Sequence, residues 1–519
     1  MPSVSTELLV IGGGSTGLGI AWDACLRGLK VVLVEQSDLG QGTSGRYHGI
    51  LHSGGRYVVS DPASARDCAN ENRILRQITP HTIEDTGGFF VSLPGDPPEF
   101  PDRWLAACHH AGVDVRETST AQALQREPAI NPRLTRAFRV RDASLDSFDL
   151  LHALTIAIRQ NGGQVWLHHR VENLHLRGNA VVAAEVVSLE TGERYRIGAD
   201  LILNAGGPWA PRIAKMADIT IPIALGKGTM VAMTGRLVNT IINRCRQPDD
   251  GDIIVPVGTV IVLGTTDSEV ETPSELSIEP WEIDFLLTQG SQLVPVISSQ
   301  RPLRAWAGTR PLYRPGYAFD EKTRELPRAH VILDHAQKDG VRGLVSVFGG
   351  KLTTYRAMAE KAVDLACEKL GIEVECTTTE TPLESKLQRY YQLPDRLSAL
   401  SDVEIENGDQ IICECEMVTR SMIKDALQAT PKVDLDDFRR DTRLGMGPCQ
   451  AGFCGYRTAA IAHELAPSAP HDGGLNAFLQ ERWRGIRPFA WGDTLRQMEL
   501  TQRIYIGLLG IHLSQEKDA

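Results

Sequence analysis

The 519-residue chain has no long hydrophobic run, no basic leader and no excess of positive charge, and each absence excludes a class of protein. No stretch reaches the roughly 20 apolar residues that span a bilayer, so we expect no transmembrane segment. Residues 1–7 lack a basic region, which argues against a secretory signal and predicts a cytoplasmic protein. The formal net charge of −11 argues against a nucleic-acid partner. An anionic substrate would therefore need a local cluster of Arg and Lys.

Internal repeats, low-complexity segments and a disulfide framework are also absent. Hydrophobic residues make up 42% of the chain and charged residues 23%, which excludes a disordered, collagen-like or coiled-coil protein. The length predicts two or three hydrophobic cores. In a chain without a leader, the ten cysteines are expected to be reduced thiols or metal ligands. Six are scattered in apolar or helical surroundings, where we expect small buried side chains: Cys25, Cys68, Cys108, Cys245, Cys367 and Cys376.

The N-terminal segment combines a strand, a glycine-rich turn and a helix. Residues 7–11 predict a buried parallel strand, and the turn that follows leads into a helix-forming run that ends at Arg27. Gly12 permits a tight turn and Gly14 lets the backbone approach a pyrophosphate. Gly17 permits close packing of the helix. The arrangement is typical of a dinucleotide site.

A second predicted strand over residues 30–34 is followed by Glu35, whose carboxylate can accept a hydrogen bond from a ribose hydroxyl. At this point the dinucleotide can be NAD or FAD. Glycine turns that could lie along a ligand recur in four further segments: 41–46, 54–57, 199–207 and 343–351. A cofactor touched by segments so far apart in the chain has the span of FAD.

At these residues the sequence resembles the FAD-dependent glycerol-3-phosphate dehydrogenase family, within the D-amino-acid-oxidase-like flavoproteins. The resemblance runs from about residue 7 to residue 370. Four motifs carry it: residues 12–17, 52–57, 308–312 and 349–356. It implies an α/β fold, in which a Rossmann-like FAD domain holds an inserted α+β substrate domain.

We assign residues 1–375 to the oxidoreductase, in alternating segments. The flavin domain takes about 1–90, 156–224 and 321–375, and the substrate domain about 91–155 and 225–320. Within these segments, a helix predicted over 352–370 would point its first N–H groups at the ligand. The predicted FAD contacts are Gly12, Gly14, Ser15, Thr16, Gly17, Glu35, Thr43, Ser44, Gly45, Ala205, Gly206, Gly349, Gly350, Leu352 and Thr353.

The resemblance implies oxidation of glycerol 3-phosphate, and such a substrate needs a cationic phosphate clamp. Arg56, Arg310 and Lys351 stand beside glycines in loops or at a helix start. Each alone could be a solvated surface charge, but the family motifs favour the clamp. His52 is either the general base or a structural histidine. Tyr57 either orients the substrate or packs under the flavin.

Four cysteines near the C-terminus have the spacing of an iron-sulfur site. Cys413 and Cys415 form C-x-C, Cys449 and Cys454 form C-x4-C, and 33 residues separate the two pairs. Four thiolates can hold a 2Fe-2S cluster. Zinc and plain thiols are the alternatives, but zinc sites more often use C-x2-4-C pairs with histidine, and no histidine lies between the pairs.

This segment resembles the small helical 2Fe-2S domain of bacterioferritin-associated ferredoxin, and its attachment to a flavin part resembles the anaerobic branch of the dehydrogenase family. We place a linker at 376–409 and the 2Fe-2S domain at 410–519. Relatives usually have glycine directly after Cys-Gln, whereas Ala451 stands here. The cluster loop is therefore expected to differ in shape or to hold the cluster less securely.

A cluster that takes single electrons implies partner subunits that lead to a membrane quinone pool. On this resemblance the chain is attached to the cytoplasmic face of the inner membrane through those subunits. Apolar residues at 500, 504, 508 and 511 predict a helix that packs on its own domain, docks on a partner or lies on the membrane surface. Two other functions stay open: a flavin dehydrogenase for another small hydroxy or amino acid, and an electron-transfer subunit without its own substrate.

Overall fold

The computed structural model describes most of the chain in three packed units, each with its own hydrophobic core. The described residues are 2–274, 276–316, 323–324, 326–385, 395–396, 398, 409–429, 435–465 and 471–508. None of the helices within these ranges is long and apolar enough to cross a membrane.

The first unit is built on an eight-stranded sheet that contains both predicted N-terminal strands. Ser3–Ile11 pairs in parallel with Val31–Val34 on one side and with Arg194–Asn204 on the other. The remaining strands are Gln164–Trp166, His169–Arg177, Ala180–Ser188, His330–Asp334 and Leu344–Gly349. The parallel strands end at one edge of the sheet, which is where ligands of such sheets bind.

Helices cover this sheet because their apolar faces bury against it. Ser15–Leu26 crosses Tyr355–Leu370 so closely that a Cβ at Gly19 would lie 2.9 Å from the Tyr355 ring. The helix Ser147–Gln160 joins the same core through Leu150 and Leu154, which are fully buried. The other helices of this unit are Pro62–Ile78, Ala210–Lys215 and His335–Lys338, with 3₁₀ turns at Thr43–Gly45, Pro80–Thr82, Gly207–Trp209 and Leu352–Thr354.

A nine-stranded, largely antiparallel sheet forms the second unit. Its strands are Gly88–Ser92, Val115–Thr118, Arg136–Val140, Ile223–Met233, Ile241–Arg244, Ile253–Val257, Val260–Gly264, Ser268–Val270 and Pro302–Tyr313. The helices beside it are Phe100–His110, Thr120–Arg126 and Pro280–Leu293, followed by a 3₁₀ turn at Pro295–Ser299. A small third sheet of Ile50–Leu51, Ile83–Glu84 and Ala143–Leu145 lies between the two units.

These strands follow the alternating order that the sequence predicted, so the α/β flavin unit with an inserted α+β unit is confirmed. The exact domain limits stay a prediction, and the packing bears on the limit at residue 155. We assigned residues 147–155 to the substrate domain, yet they begin a helix that packs in the flavin core. The reason is its apolar face, which can be buried only against the flavin sheet. A limit near residue 146 fits the packing better.

The third unit is small and helical, as predicted. A two-stranded ribbon of Ile411–Cys413 and Val418–Thr419 precedes its helices. The helices are Arg420–Ala429, Leu435–Thr442, Cys454–Leu465, His471–Ile486 and Gly492–Gln502, with a 3₁₀ turn at Arg487–Phe489 and a π-helical turn at Arg503–Leu508. In the terminal segment Tyr505 is buried and Leu500 is 61% exposed. Ile511 lies outside the described residues, and the predicted stripe stays a prediction.

The start of the predicted linker belongs to the flavin unit. Leu383 is buried in the flavin core, and its N–H donates to the Ile78 carbonyl at 2.7 Å. The Thr378 hydroxyl accepts from Arg356 at 3.1 Å. Most of the rest of the predicted linker lies outside the described residues.

Candidate active site and cluster site

The carboxyl edge of the flavin sheet opens onto one deep cavity of about 920 Å³. The predicted FAD contacts that line it are Gly12, Gly14, Ser15, Thr16, Glu35, Thr43, Ser44, Ala205, Gly206, Gly349, Gly350, Leu352 and Thr353. The predicted substrate residues His52, Arg56, Tyr57, Arg310 and Lys351 line it too. Segments far apart in sequence therefore meet around a single space.

Gly17 and Gly45 are the predicted FAD contacts that do not line this cavity. A Cβ at Gly17 would lie 1.9 Å from the Gly12 carbonyl oxygen. A Cβ at Gly45 would lie 2.0 Å from the Gly40 carbonyl oxygen. This close approach of the backbone explains glycine at both positions, as the sequence predicts for Gly17, and their contact with the cofactor stays a prediction.

The glycine turn leaves bare backbone at the cavity wall. Gly12 has a φ of +115°, and a Cβ there would lie 2.5 Å from the Ala205 carbonyl oxygen. Gly14 has an ordinary φ of −80°, and the nearest atom to a Cβ there would be the Ser44 Oγ at 3.2 Å. A side chain at Gly14 would therefore enter the cavity itself. A cradle of this kind fits the pyrophosphate of FAD.

The adenosine end of such a cofactor would meet Glu35. One carboxylate oxygen accepts from the Gly13 N–H at 2.7 Å and the other from the Ser37 N–H at 2.9 Å. Burial raises the pKa of the Glu35 carboxyl. Nearby, the Ser15 N–H donates to the Ser44 hydroxyl at 3.0 Å, which ties the second glycine-rich segment to the start of the first helix.

The opposite end of the cavity is closed by the start of the Leu352–Thr354 turn. Gly349 and Gly350 both have positive φ, of +79° and +69°. The Thr353 hydroxyl accepts from the His52 N–H at 3.0 Å, which fixes the His52 segment against the helix start. N–H groups at a helix start favour an electron-rich ligand group.

Cationic side chains crowd the substrate end of the cavity: Arg56, Arg310, Arg324, Arg328 and Lys351. Arg310 donates to Asp267 at 2.7 Å and to the Thr265 hydroxyl at 2.6 Å, so its guanidinium is held in one orientation. Burial lowers the pKa of Arg310 to about 10, which leaves it charged at neutral pH. The cavity can therefore bind a small dianion.

Lys351 and Arg56 reach the same space from other elements. The Lys351 Nζ donates to the Arg328 carbonyl at 3.2 Å and lies 4.4 Å from the centre of the Tyr57 ring. Arg56 donates to the Asp249 carbonyl at 3.1 Å. The Tyr57 ring thus stabilises the ammonium group of Lys351 at the cavity wall, a contact that favours an orienting role for the ring.

Two histidine rings stand beside the cations. His52 meets Tyr57 edge-on with ring centres 5.3 Å apart, and His48 meets His52 edge-on at 5.4 Å. Burial lowers the pKa of His48 to about 3 and that of His52 well below its usual range. Both imidazoles are therefore neutral at neutral pH and can accept a proton.

The sequence analysis missed His48, Arg324, Arg328 and Asp267. His48 had a usable signal, because residues 48, 50 and 52 alternate along an extended segment and so share one face with His52. The others had none: Arg324 and Arg328 stand in a polar stretch without glycine motifs, and Asp267 only follows a strand end. Their role depends on the sheet that carries them to the cavity.

The four C-terminal cysteines are brought together as predicted. Cys454 hydrogen-bonds through its side chain to Cys413 and Cys449, and Cys449 also to Cys415. These contacts lower the pKa of Cys413 and Cys449 and raise that of Cys415 and Cys454, and the Ala451 and Gly452 N–H groups add to the lowering at Cys449. Thiolates and amide donors are what an iron-sulfur cluster needs.

Among the described residues no group of three or more His, Cys, Asp or Glu side chains could hold one metal ion. A 2Fe-2S cluster makes a different demand, since each iron needs only two protein thiolates. The two cysteine pairs fit that demand. Of the other cysteines, five are buried, as predicted, and Cys376 is half-buried.

Ala451 adopts a conformation that favours glycine. Its φ is +64° and that of Gln450 is +50°. The methyl group is buried, and a Cβ at Gly445 would lie 2.7 Å from it. The left-handed conformation costs an alanine about 1 kcal/mol or more. The predicted effect of Ala451 on the loop is therefore strain in the backbone beside Cys449.

Comparison with known proteins places both sites in described families. A profile described as FAD dependent oxidoreductase matches residues 7–356, and one described as BFD-like 2Fe-2S binding domain matches residues 411–464. One subunit of the anaerobic glycerol-3-phosphate dehydrogenase of Escherichia coli (strain K12) is 39% identical over 541 aligned positions, covering 100% of this chain and 99% of that protein.

A second relative and a solved structure agree with this match. The corresponding anaerobic glycerol-3-phosphate dehydrogenase subunit of Haloferax volcanii is 40% identical, covering 96% of this chain and 90% of that protein. The crystal structure of glycerol-3-phosphate dehydrogenase from Bacillus halodurans complexed with FAD superposes with a TM-score of 0.66 at 20% identity. The match covers 93% of this chain and 96% of that one, and it supports the fold alone.

Proposed function

This chain belongs to the FAD-dependent oxidoreductase family that includes the matching subunit of anaerobic glycerol-3-phosphate dehydrogenase, and we infer that it oxidises sn-glycerol 3-phosphate to dihydroxyacetone phosphate. The observation that carries the inference is the cavity, which places a backbone cradle for a dinucleotide and a cluster of cations in one space. FAD and a 2Fe-2S cluster are the cofactors of the chain.

The cationic end of the cavity provides the phosphate clamp. We assign Arg310 as its fixed member, because Asp267 and Thr265 hold its guanidinium. Lys351 and Arg56 complete it from two other segments. A fork-shaped guanidinium matches phosphate oxygens in pairs, so the clamp would hold the substrate in one orientation.

In this proposal His52 removes the proton from the C2 hydroxyl. Bound FAD supplies a two-electron acceptor for the hydride that leaves C2. His52 lines the cavity with a neutral ring, which can take the hydroxyl proton on its free nitrogen. The buried cations around it disfavour a charged imidazole before the substrate anion arrives, and the bound anion would offset that repulsion.

We propose that the electrons leave through the C-terminal unit. Cys413, Cys415, Cys449 and Cys454 would hold a 2Fe-2S cluster, which would supply a one-electron carrier. The relatives are named as one subunit of a larger enzyme, which implies partner subunits. On this proposal those partners pass the electrons to a quinone and attach the chain to the cytoplasmic face of the inner membrane.

A substrate panel tests the proposed reaction. The purified chain should reduce a flavin-reactive dye with glycerol 3-phosphate, and reduce it poorly with 2-hydroxy acids or amino acids that lack a phosphate. Soluble quinone in membrane-free buffer should be a poor acceptor, since the purified chain lacks its partners. Efficient turnover of a hydroxy or amino acid would identify a different flavin dehydrogenase, and rapid quinone reduction would contradict the need for partners.

Replacing Cys449 by Ser should remove the cluster and spare the flavin. The cysteine pairs act as one unit, whereas hydride transfer takes place in the other cavity. We expect loss of iron, measured by metal analysis, with flavin reduction by glycerol 3-phosphate within about twofold of the parent. Cys376→Ser is the matched control and should keep its iron. Unchanged iron in the Cys449 variant, or stoichiometric zinc in the parent, would overturn the cluster assignment.

A further inference from the structure

One arginine of the C-terminal unit reaches a buried carboxylate of the flavin unit. The Arg440 Nε donates to the Asp38 Oδ2 at 2.6 Å, and the same guanidinium pairs with Asp436 and Asp437 on its own helix. The side chains of Arg440 and Asp38 are 2% and 3% exposed. Asp38 follows the second strand of the flavin sheet, so this contact links the cluster unit to the flavin sheet itself.

A second arginine joins the cluster loop to the flavin unit. The Arg443 Nε donates to the Glu416 Oε2 at 2.9 Å, and its Nη1 donates to the Asp146 Oδ2 at 3.2 Å. Glu416 directly follows the cluster ligand Cys415. Asp146 caps the helix Ser147–Gln160, which packs in the flavin core. One side chain therefore spans from the cluster loop to the flavin core.

A turn of the substrate sheet touches the same place. The Thr259 hydroxyl donates to the Glu416 Oε1 at 2.8 Å. A Cβ at Gly258 would lie 2.7 Å from the Arg443 guanidinium. A Cβ at Gly447 would lie 2.3 Å from the Cys415 Cβ and 3.1 Å from the Thr259 hydroxyl oxygen. The cluster loop is therefore seated directly on this turn.

Beside these contacts the described parts of the units meet again at Phe489, which is buried in the core of the substrate unit, and at His152 and Asp441, whose Nε2 and Oδ1 lie 2.6 Å apart. A second cavity of about 1410 Å³ lies between the units, and Arg440 and Arg443 form part of its wall, together with Gly45 and Arg46 of the flavin unit. Side chains do not fill this cavity, so the contacts along its wall hold the two units across it. Buried ion pairs add little to stability because of their desolvation, but they do specify a geometry.

We propose that Arg440 and Arg443 are positioning residues, which hold the 2Fe-2S unit at one distance and orientation from the flavin through Asp38 and Asp146. The rate at which electrons would cross between the two cofactors then depends on these two contacts. The inference rests on the proposed function. Oxidation of one alcohol releases two electrons and two protons. The protons pass to water, and the electrons pass singly from flavin to cluster and on to an added one-electron acceptor.

The test removes the flavin-side carboxylates and leaves the arginines paired. In Asp38→Ala, Arg440 keeps its ion pairs with Asp436 and Asp437. In Asp146→Asn, Arg443 keeps its ion pair with Glu416, and asparagine can still cap the helix that begins at Ser147. In the double variant, FAD content, iron content and the rate of flavin reduction by glycerol 3-phosphate should stay within about twofold of the parent. Anaerobic stopped-flow absorption should show cluster reduction slowed by roughly tenfold or more, since transfer depends on relative position.

A second readout does not depend on turnover. Amide hydrogen exchange of residues 253–264 and 435–442 should be faster in the double variant. Glu464→Gln, which breaks the exposed Arg420 pair within the cluster unit, is the matched control and should change neither readout. Parent-like cluster reduction in the double variant, or equal slowing in the control, would overturn the inference.

If the double variant loses iron, the single Asp38→Ala variant is tested instead, because it leaves the cluster loop untouched. The proposal then predicts slower cluster reduction and faster amide hydrogen exchange in that variant than in the parent. Failure of the parent flavin to be reduced by glycerol 3-phosphate would instead contradict the proposed function. The two failures are therefore separate observations.

Discussion

Substitution of Gly14 by Val should yield a folded protein that no longer retains FAD. A Cβ at this position meets only the Ser44 hydroxyl, at 3.2 Å, and otherwise points into the cavity where the pyrophosphate would lie. Gly14 has an ordinary φ, so the new side chain does not strain the backbone. We expect the FAD content of the purified variant to fall below about a tenth of the parent, because a bulky side chain blocks the close approach.

The other glycines of the turn provide the contrast. A Cβ at Gly12 or Gly17 would collide with backbone, at 2.5 Å and 1.9 Å, so valine at either position should lower the unfolding temperature as well as the FAD content. Gly14→Val should unfold near the parent temperature measured without FAD. Full FAD occupancy in a soluble Gly14→Val protein would show that the cofactor lies elsewhere.

Removal of either Arg310 or Lys351 from the phosphate clamp should lower kcat/KM strongly. Truncating one charged partner of a desolvated ion pair costs about 2 to 4 kcal/mol, which corresponds to roughly 30-fold to 1000-fold in kcat/KM. Arg310→Ala and Lys351→Ala should each fall in this range. The measurement is steady-state dye reduction over a range of glycerol 3-phosphate concentrations, with FAD content checked in each variant.

Lys338 offers a matched control for Lys351. Its Nζ lies 5.5 Å from the centre of the Tyr313 ring, outside the cavity, so Lys338→Ala removes a similar lysine-to-tyrosine contact without touching the clamp. It should keep parent efficiency. Normal efficiency in both clamp variants would mean that other residues bind the substrate, or that the substrate carries no phosphate.

Local chemistry explains why so much of the flavin site was predictable. The turn at Gly12 and Gly14 must be glycine wherever backbone meets a pyrophosphate, and the spacing to Glu35 follows from one strand, one helix and the next strand. The cysteine pairs were predictable for the same reason. Each signal is contained in a short stretch of chain whose conformation is fixed by its own residues.

The site residues and contacts that the sequence did not predict depend on tertiary structure. Gly45 is glycine because its turn folds back on itself, a reason that its sequence surroundings do not show. Asp267 reaches the cavity from a turn between two strands of the inserted sheet, and Arg328 reaches it from the segment before His330–Asp334 of the flavin sheet. Asp38 likewise has no motif, and its partner Arg440 stands 402 residues later in the chain. Such contacts depend on how whole units pack, and no local pattern encodes them.

The most direct test of the account is an anaerobic titration of the purified chain with glycerol 3-phosphate, followed by absorption and electron paramagnetic resonance. The account predicts loss of the oxidised-flavin absorption, followed by the signal of a reduced 2Fe-2S cluster. Dihydroxyacetone phosphate should form in step with the flavin that is reduced. A chain that holds both cofactors, yet shows no change with glycerol 3-phosphate and full reduction with dithionite, would be an electron-transfer subunit without its own substrate and would contradict the account.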